Sequence, residues 1–127
     1  MRTKNREIEN LNGTVQNLLS LRLKMPVGFQ IACLAKEVHQ AFNELNTKRT
    51  AIISKYAKRD ENNQVIINKE NGMVEIDDED VKQVDSELDK LYNTYVELSA
   101  EKIKLDDIKD LDLTVGQIES LVPFIEK

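Results

Sequence analysis

The chain has 127 residues with a formal net charge of −5, and it is 40% apolar but only 5% aromatic. This length predicts a single domain over residues 1–127, with a core that rests on Leu, Ile and Val. No run of about 18 apolar residues occurs, which argues against a membrane-spanning helix, and no apolar segment of a secretory signal follows the basic N-terminal residues. One cysteine and one histidine exclude an internal disulfide and a zinc site built from Cys and His within one chain. We therefore expect a cytoplasmic protein.

Charge is divided unevenly along the chain. Residues 1–59 hold 11 basic and 4 acidic side chains, whereas residues 60–127 hold 7 basic and 19 acidic ones, so the net charges are +7 and −12. Such asymmetry can indicate a nucleic-acid partner. Binding to bulk nucleic acid is nevertheless disfavoured, because the strongly acidic second half repels phosphate.

The first elements in chain order are two predicted helices. Apolar residues at helical spacing predict a helix over residues 5–20, and Pro26 suits the first turn of a second helix. No Gly or Pro interrupts residues 29–59, which predicts a helix of about 33 residues and about 50 Å, although its apolar pattern fades over residues 46–50. A single domain of this size has a radius of gyration of only about 14 Å. Because such a helix overhangs its own domain, we expect a homodimer or a higher oligomer.

A hairpin and a third helix follow in the acidic half. Two β-prone runs, residues 65–67 and 73–76, flank the dipeptide Asn71-Gly72, which is a strong hairpin signal. The third helix is predicted to begin after Asp77 or Asp78, where acidic side chains favour the positive end of the helix dipole.

The last part of the chain completes a predicted α+β fold. Residues 95–98 and 102–105 alternate with period two and predict two short strands. Thr114 forms a capping-box pattern with Gln117 and predicts a short last helix. The fold is thus a long helix packed with two or three other helices and a small antiparallel sheet or hairpin. Its basic part, residues 1–59, is a helical hairpin, and the acidic elements follow.

The basic end of the long helix is the strongest candidate for a binding site. It combines positive side chains with an aromatic ring: Lys48, Arg49, Lys55, Tyr56 and Arg59. Lysine and arginine can neutralise a phosphate, and a tyrosine ring can stack against a base. A nucleotide-type ligand is one interpretation. The alternatives are that these cations complement the helix dipole, pair with the acidic third helix, or contact a protein or duplex partner.

No catalytic signature is present in the sequence. Cys33 and His39 lie six residues apart on one predicted helix, about 600° of rotation, so they do not face the same way. The acidic runs at residues 77–80 and 106–112 are better explained by helix capping and by a solvated or partner-facing loop than by cation sites. No phosphate-binding loop or dinucleotide fingerprint occurs. We therefore predict a protein that is not an enzyme and that uses no cofactor and no metal.

Several short motifs follow one another along the chain: Lys-x-Pro-Val before the long helix, Lys55-Tyr56 near its end, then Arg59-Asp60-Glu61-Asn62, Val74-Glu75-Ile76, residues 95–98 and a final Phe124-Ile125-Glu126-Lys127. Their order resembles a group of small proteins of unknown function encoded by phages and prophages of low-GC Gram-positive bacteria. The similarity covers nearly the whole chain. It implies a phage origin, a location in the host cytoplasm and an accessory role such as inhibition of host defence.

Two functions follow as expectations. The first is an oligomeric phage protein that binds and sequesters a phosphate-bearing, nucleotide-type immune signal without cleaving it. The alternative is a protein–protein inhibitor of a host defence or nucleic-acid-handling protein, or a phage assembly module. In both cases a partner is a second copy of the chain, and neither a membrane nor bulk nucleic acid is expected as one.

Overall fold

The structure is a computed structural model that describes residues 2–20, 25 and 27–126, apart from the side chains of residues 120 and 123. This described part is an α+β fold with five α-helices and two two-stranded sheets. The predicted connector at residues 21–25 lies almost wholly outside the described residues, and so does the role predicted for Pro26.

Two helices lead the chain, as predicted. Helix α1 covers Asn5–Leu19 and helix α2 covers Val27–Tyr56. Helix α2 has 30 residues and continues through residues 46–50, where the apolar pattern fades. It ends at Tyr56 rather than at residue 59, because Ala57 and Arg59 pair with extended segments of the chain instead.

The chain divides into two compact units. The first comprises Met1–Asn43 and Thr94–Lys127, and the second comprises Glu44–Asn93. The change of charge between residues 59 and 60 falls inside the second unit. The basic and acidic halves of the sequence are therefore not the two structural units.

The core of the first unit is formed by apolar stripes at helical spacing. Helix α1 buries Ile8, Leu11, Val15 and Leu18, each at most 1% exposed. Leu11, Val15 and Leu18 belong to the main cluster, and its other side chains come from α2 and from the C-terminal third of the chain: Ile31, Leu34, Ala35, Val38, Leu98, Ile103, Ile108, Leu121 and Phe124. Full burial of one such large side chain contributes about 1.5–3 kcal/mol, so this cluster is the main source of the unit's stability.

Two small sheets join distant parts of the first unit. Strand β1, Arg2–Lys4, pairs antiparallel with β2, Tyr95–Glu97, so that Thr3 lies opposite Val96. Strand β3, Ile103–Lys104, pairs in parallel with β4, Ile125–Glu126. The predicted strands at residues 95–98 and 102–105 are thus confirmed in shortened form. Their partners, β1 and β4, were not predicted.

The C-terminal elements are short. Helix α4 covers Leu105–Ile108, and helix α5 covers Val115–Leu121. The predicted capping box of α5 is confirmed: the hydroxyl of Thr114 accepts a hydrogen bond from the backbone N–H of Gln117 at 3.2 Å, and the Gln117 side chain accepts one from the backbone N–H of Thr114 at 2.9 Å. A 3₁₀ turn at Val122–Phe124 follows and leads into β4.

Glu37 on α2 holds the segment that follows β2. Its carboxylate accepts hydrogen bonds from the hydroxyl of Ser99 and from the backbone N–H of Ala100, the latter at 3.1 Å. Burial raises the pKa of Glu37, but these hydrogen bonds lower it by more, so the net pKa lies below the ordinary value of 4.5. The folded state thus favours the ionised form of this carboxyl group.

Glu37→Ala is expected to lower the free energy of unfolding by about 1–3 kcal/mol at neutral pH, since two hydrogen bonds to a charged acceptor are lost. Because the folded-state pKa is depressed, the stabilisation is present above the ordinary pKa and is lost as the pH falls through the folded-state pKa. Urea unfolding measures the difference in free energy of unfolding between the native chain and Glu37→Ala. This difference should be smaller at pH 3 than at pH 7. Lys36→Ala, at the exposed neighbouring position, is the control and should change stability by less than about 0.5 kcal/mol.

The second unit holds the end of α2 and helix α3, which covers Asp78–Asn93 and confirms the third predicted helix. Within residues 44–93, three apolar side chains are buried: Leu45 at 2%, Val84 at 5% and Leu91 at 9% exposure. Such a small unit buries little apolar surface on its own.

Three extended segments connect α2 to α3. Residue 57 pairs with 76, residue 59 with 65, and residue 67 with 74, all antiparallel. Their backbone hydrogen bonds close a cycle: the N–H of Lys58 donates to the carbonyl of Glu75, that of Glu75 to Ile66, and that of Ile66 to Lys58, at 2.9–3.0 Å. The predicted hairpin of residues 65–67 and 73–76 is present, since residue 67 pairs with residue 74. Gly72 turns it with a φ of +69°, which glycine adopts without steric cost.

Candidate functional site

Lys55 and Tyr56, two of the predicted ligand-binding residues, interact with the acidic third helix. The Lys55 Nζ atom lies 2.6 Å from Oε1 of Glu87 and 4.9 Å from the centre of the Tyr56 ring. Glu87 raises the pKa of both Lys55 and Tyr56, and Lys55 lowers the pKa of Glu87. One face of the Tyr56 ring is thus covered by an ammonium group that already has a carboxylate partner.

The predicted arginines also have partners within the second unit. The guanidinium of Arg49 donates to Oδ1 of Asn46 and, at 3.5 Å, to the hydroxyl of Tyr92. The guanidinium of Arg59 donates to the carbonyl of Asn63 at 3.1 Å and to the hydroxyl of Ser54 at 3.2 Å. These bonds connect α2 to α3 and fix the turn that follows α2, so both arginines have a structural role.

Lys48 differs from the other four predicted residues. Its side chain is exposed and forms no hydrogen bond or ion pair with any described residue. The nearby Lys58 forms an ion pair with Asp77: its Nζ atom lies 3.2 Å from Oδ1 of Asp77. Asp77 raises the pKa of Lys58. The five predicted residues share one unit, but their contacts do not converge on one point: Lys55 and Tyr56 share Glu87, whereas the two arginines have other partners. Their role in ligand binding stays a prediction.

The charges left unpaired on the second unit are mostly acidic. Asp78, Glu79 and Asp85 on α3 are exposed and form no ion pair with a described residue. Asp78 and Glu79 lie in the first turn of α3, where they interact favourably with the helix dipole. This helix therefore presents carboxylates to solvent, while Lys55 and Lys58 next to it are each paired with a carboxylate.

A half-open groove of about 620 Å³ lies in the first unit, between α1 and α5. Its α1 wall carries Glu7, Asn10, Thr14 and Asn17. These residues follow the same 3-4-3 spacing as the buried stripe of Ile8, Leu11, Val15 and Leu18, displaced by one position. The groove was not predicted. This second, polar stripe at helical spacing is the signal that could have indicated it.

Other reactive residues do not form a site in the described part of the chain. Cys33 and His39 are both exposed on α2. No three His, Cys, Asp or Glu side chains among the described residues are grouped so that they could hold a metal ion. None of the described helices combines the length and the apolar character needed to cross a membrane.

No protein family model matches the chain, and no curated protein or solved structure was found to be similar to it.

Proposed function

We propose that this chain is a non-enzymatic inhibitor that binds a basic, nucleic-acid-handling protein through the acidic surface of α3. One observation carries the proposal. Lys55 and Lys58 are paired with Glu87 and Asp77. In contrast, three exposed carboxylates of α3 form no ion pair with a described residue: Asp78, Glu79 and Asp85. Exposed carboxylates on a helix can occupy the basic surface that a partner uses for phosphate.

The same contacts weaken support for sequestration of a nucleotide. A phosphate at Lys55 would compete with the Glu87 carboxylate at 2.6 Å, and both groups carry negative charge. A base stacking on Tyr56 would have one ring face available, since Lys55 covers the other. Of the two functions expected from the sequence, the contacts therefore favour protein binding. Phage origin, inhibition of host defence and location in the host cytoplasm remain parts of this proposal.

Self-association is the second part of the proposal. The unit at residues 44–93 buries only three apolar side chains, and Val81 on the apolar stripe of α3 remains 40% exposed. A second copy of the chain would cover apolar surface that one copy leaves in water. Light scattering coupled to size-exclusion chromatography is expected to give at least twice the chain mass of 14.6 kDa. A mass of one chain at micromolar concentration would contradict self-association.

A displacement assay tests the proposed inhibition. A basic nucleoid protein from a Gram-positive bacterium is bound to a fluorescent DNA duplex, and the chain is added in excess. We expect release of the duplex, with an effect that weakens as salt rises, because salt screens the charges. The triple variant Asp78→Asn, Glu79→Gln, Asp85→Asn should need at least about tenfold more chain for half-maximal release, which corresponds to a loss of about 1.4 kcal/mol in binding free energy.

A matched control removes the same number of charges elsewhere. Glu61→Gln, Glu70→Gln and Glu101→Gln replace exposed carboxylates outside α3 and should leave duplex release unchanged. Circular dichroism confirms that both triple variants are folded. No release by the native chain, or equal loss in both variants, would overturn the proposal.

Calorimetric titration with cyclic dinucleotides and ADP-ribose derivatives tests the nucleotide alternative. Heat that is abolished in the double variant Lys48→Ala, Lys55→Ala would support nucleotide binding instead of protein binding.

A further inference from the structure

The groove between α1 and α5 has the dimensions of a ligand site. Its volume of about 620 Å³ lies within the range of about 300–1,000 Å³ that is typical of small-molecule pockets. Gly13 and Gly116 contribute to opposite walls. A Cβ atom added at Gly13 would meet nothing within 4 Å, and one at Gly116 would meet only the Thr114 hydroxyl oxygen, at 4.0 Å. The absence of side chains at these positions keeps the groove wide.

The chemistry of the walls indicates the class of ligand. Two carboxylates line the groove, Glu7 on α1 and Glu119 on α5, and none of the described lining residues is basic. The side-chain amides of Asn10 and Asn17 also line it and make no hydrogen bond with a described residue. Carboxylate and amide oxygens accept hydrogen bonds from cationic donors. An anionic ligand such as a phosphate would be repelled here.

The groove is held in shape before any ligand binds. The hydroxyl of Thr3, a residue only 3% exposed, donates to Oε2 of Glu7 at 2.8 Å. On the opposite wall, the capping box orients Gln117. Below them, Leu11 and Phe124 are each 1% exposed and tie the groove to the main core. Acceptors fixed in this way lose little conformational entropy when a ligand binds.

We propose that the groove binds an organic cation, an alkylammonium or guanidinium group carried on an extended chain, between Glu7 and Glu119. The cation donates hydrogen bonds to the free oxygen of Glu7 and to Glu119, and its chain lies along the stripe of Asn10 and Asn17. The source is either a free polyamine or a lysine or arginine side chain of a peptide. This site belongs to the first unit and does not depend on the inhibition proposed for α3.

Two probes distinguish the sources: spermidine and a blocked tri-lysine peptide, each titrated at low ionic strength while amide chemical shifts are recorded by NMR. We expect saturable shifts at Gly13 and Gly116, which report on both walls. The double variant Glu7→Gln, Glu119→Gln should bind at least about tenfold more weakly. Glutamine keeps an acceptor for Thr3, so this variant retains the wall geometry.

The matched control is Glu9→Gln with Glu101→Gln, which removes two exposed carboxylates of the same unit that do not line the groove. It should bind as the native chain does. Binding of spermidine alone assigns the site to a free polyamine, and binding of the peptide alone assigns it to a protein segment. Absence of shifts with both probes, or equal weakening in the two double variants, would overturn the proposal.

Discussion

Replacing Phe124 by alanine is expected to lower the free energy of unfolding by about 3–5 kcal/mol, the cost of removing a buried aromatic ring and leaving a cavity. Phe124 is 1% exposed and is among the largest fully buried side chains described. It belongs to the main cluster together with Leu11 of α1 and Leu34 of α2. A small domain has a total stability of about 5–15 kcal/mol, so this loss is a large fraction of the whole.

Thermal unfolding measures the effect as a fall in Tm of roughly 10–20 °C. Val122→Ala is the matched control, because Val122 lies in the same 3₁₀ turn but is 46% exposed. It should change stability by less than about 0.5 kcal/mol. If Phe124→Ala cost no more than this control, the C-terminal turn would not be part of the folded core.

Leu45→Ala is the second change with a large expected effect, about 2–5 kcal/mol. Leu45 is 2% exposed, and only Val84 and Leu91 are also buried in the unit at residues 44–93. Removing Leu45 therefore removes one of the three buried apolar groups of this unit, and few neighbours remain to fill the cavity. We expect the unit to open locally.

Hydrogen exchange followed by mass spectrometry locates this effect. Peptides from residues 44–93 should lose protection, whereas peptides from residues 8–18 of α1 should lose much less. Ile67→Ala serves as the control, since Ile67 belongs to the same unit and is 56% exposed. Equal loss of protection in both regions would show that the two units unfold together.

The helices could be predicted from the sequence because their apolar residues recur over many turns. The buried stripe of α1 runs from Ile8 to Leu18, which is nearly three helical turns, so the pattern is redundant. Local chemistry also predicted the capping box at Thr114 and the turn at Gly72, since each depends on residues that are close in sequence.

The pairing of the strands and the partners of the cations could not be predicted in the same way. Strands β1 and β4 have 3 and 2 residues, too few for a period-two pattern, and their pairing depends on tertiary contacts. The partners of Lys55 and Arg49 lie 32 and 43 residues away in sequence. Which cations are neutralised is therefore decided by the packing of α3, and composition does not reveal it.

The division of the chain also determines the order in which its parts can fold during synthesis. Residues 44–93 form one continuous unit, so this unit is complete before strand β2 leaves the ribosome. Strand β1 must wait for residues 95–97, a delay of roughly 5–20 s at about 5–20 residues per second. Through that interval the apolar stripe of α1 lacks its C-terminal partners. The core of the first unit is therefore the last part of the protein that can form during synthesis.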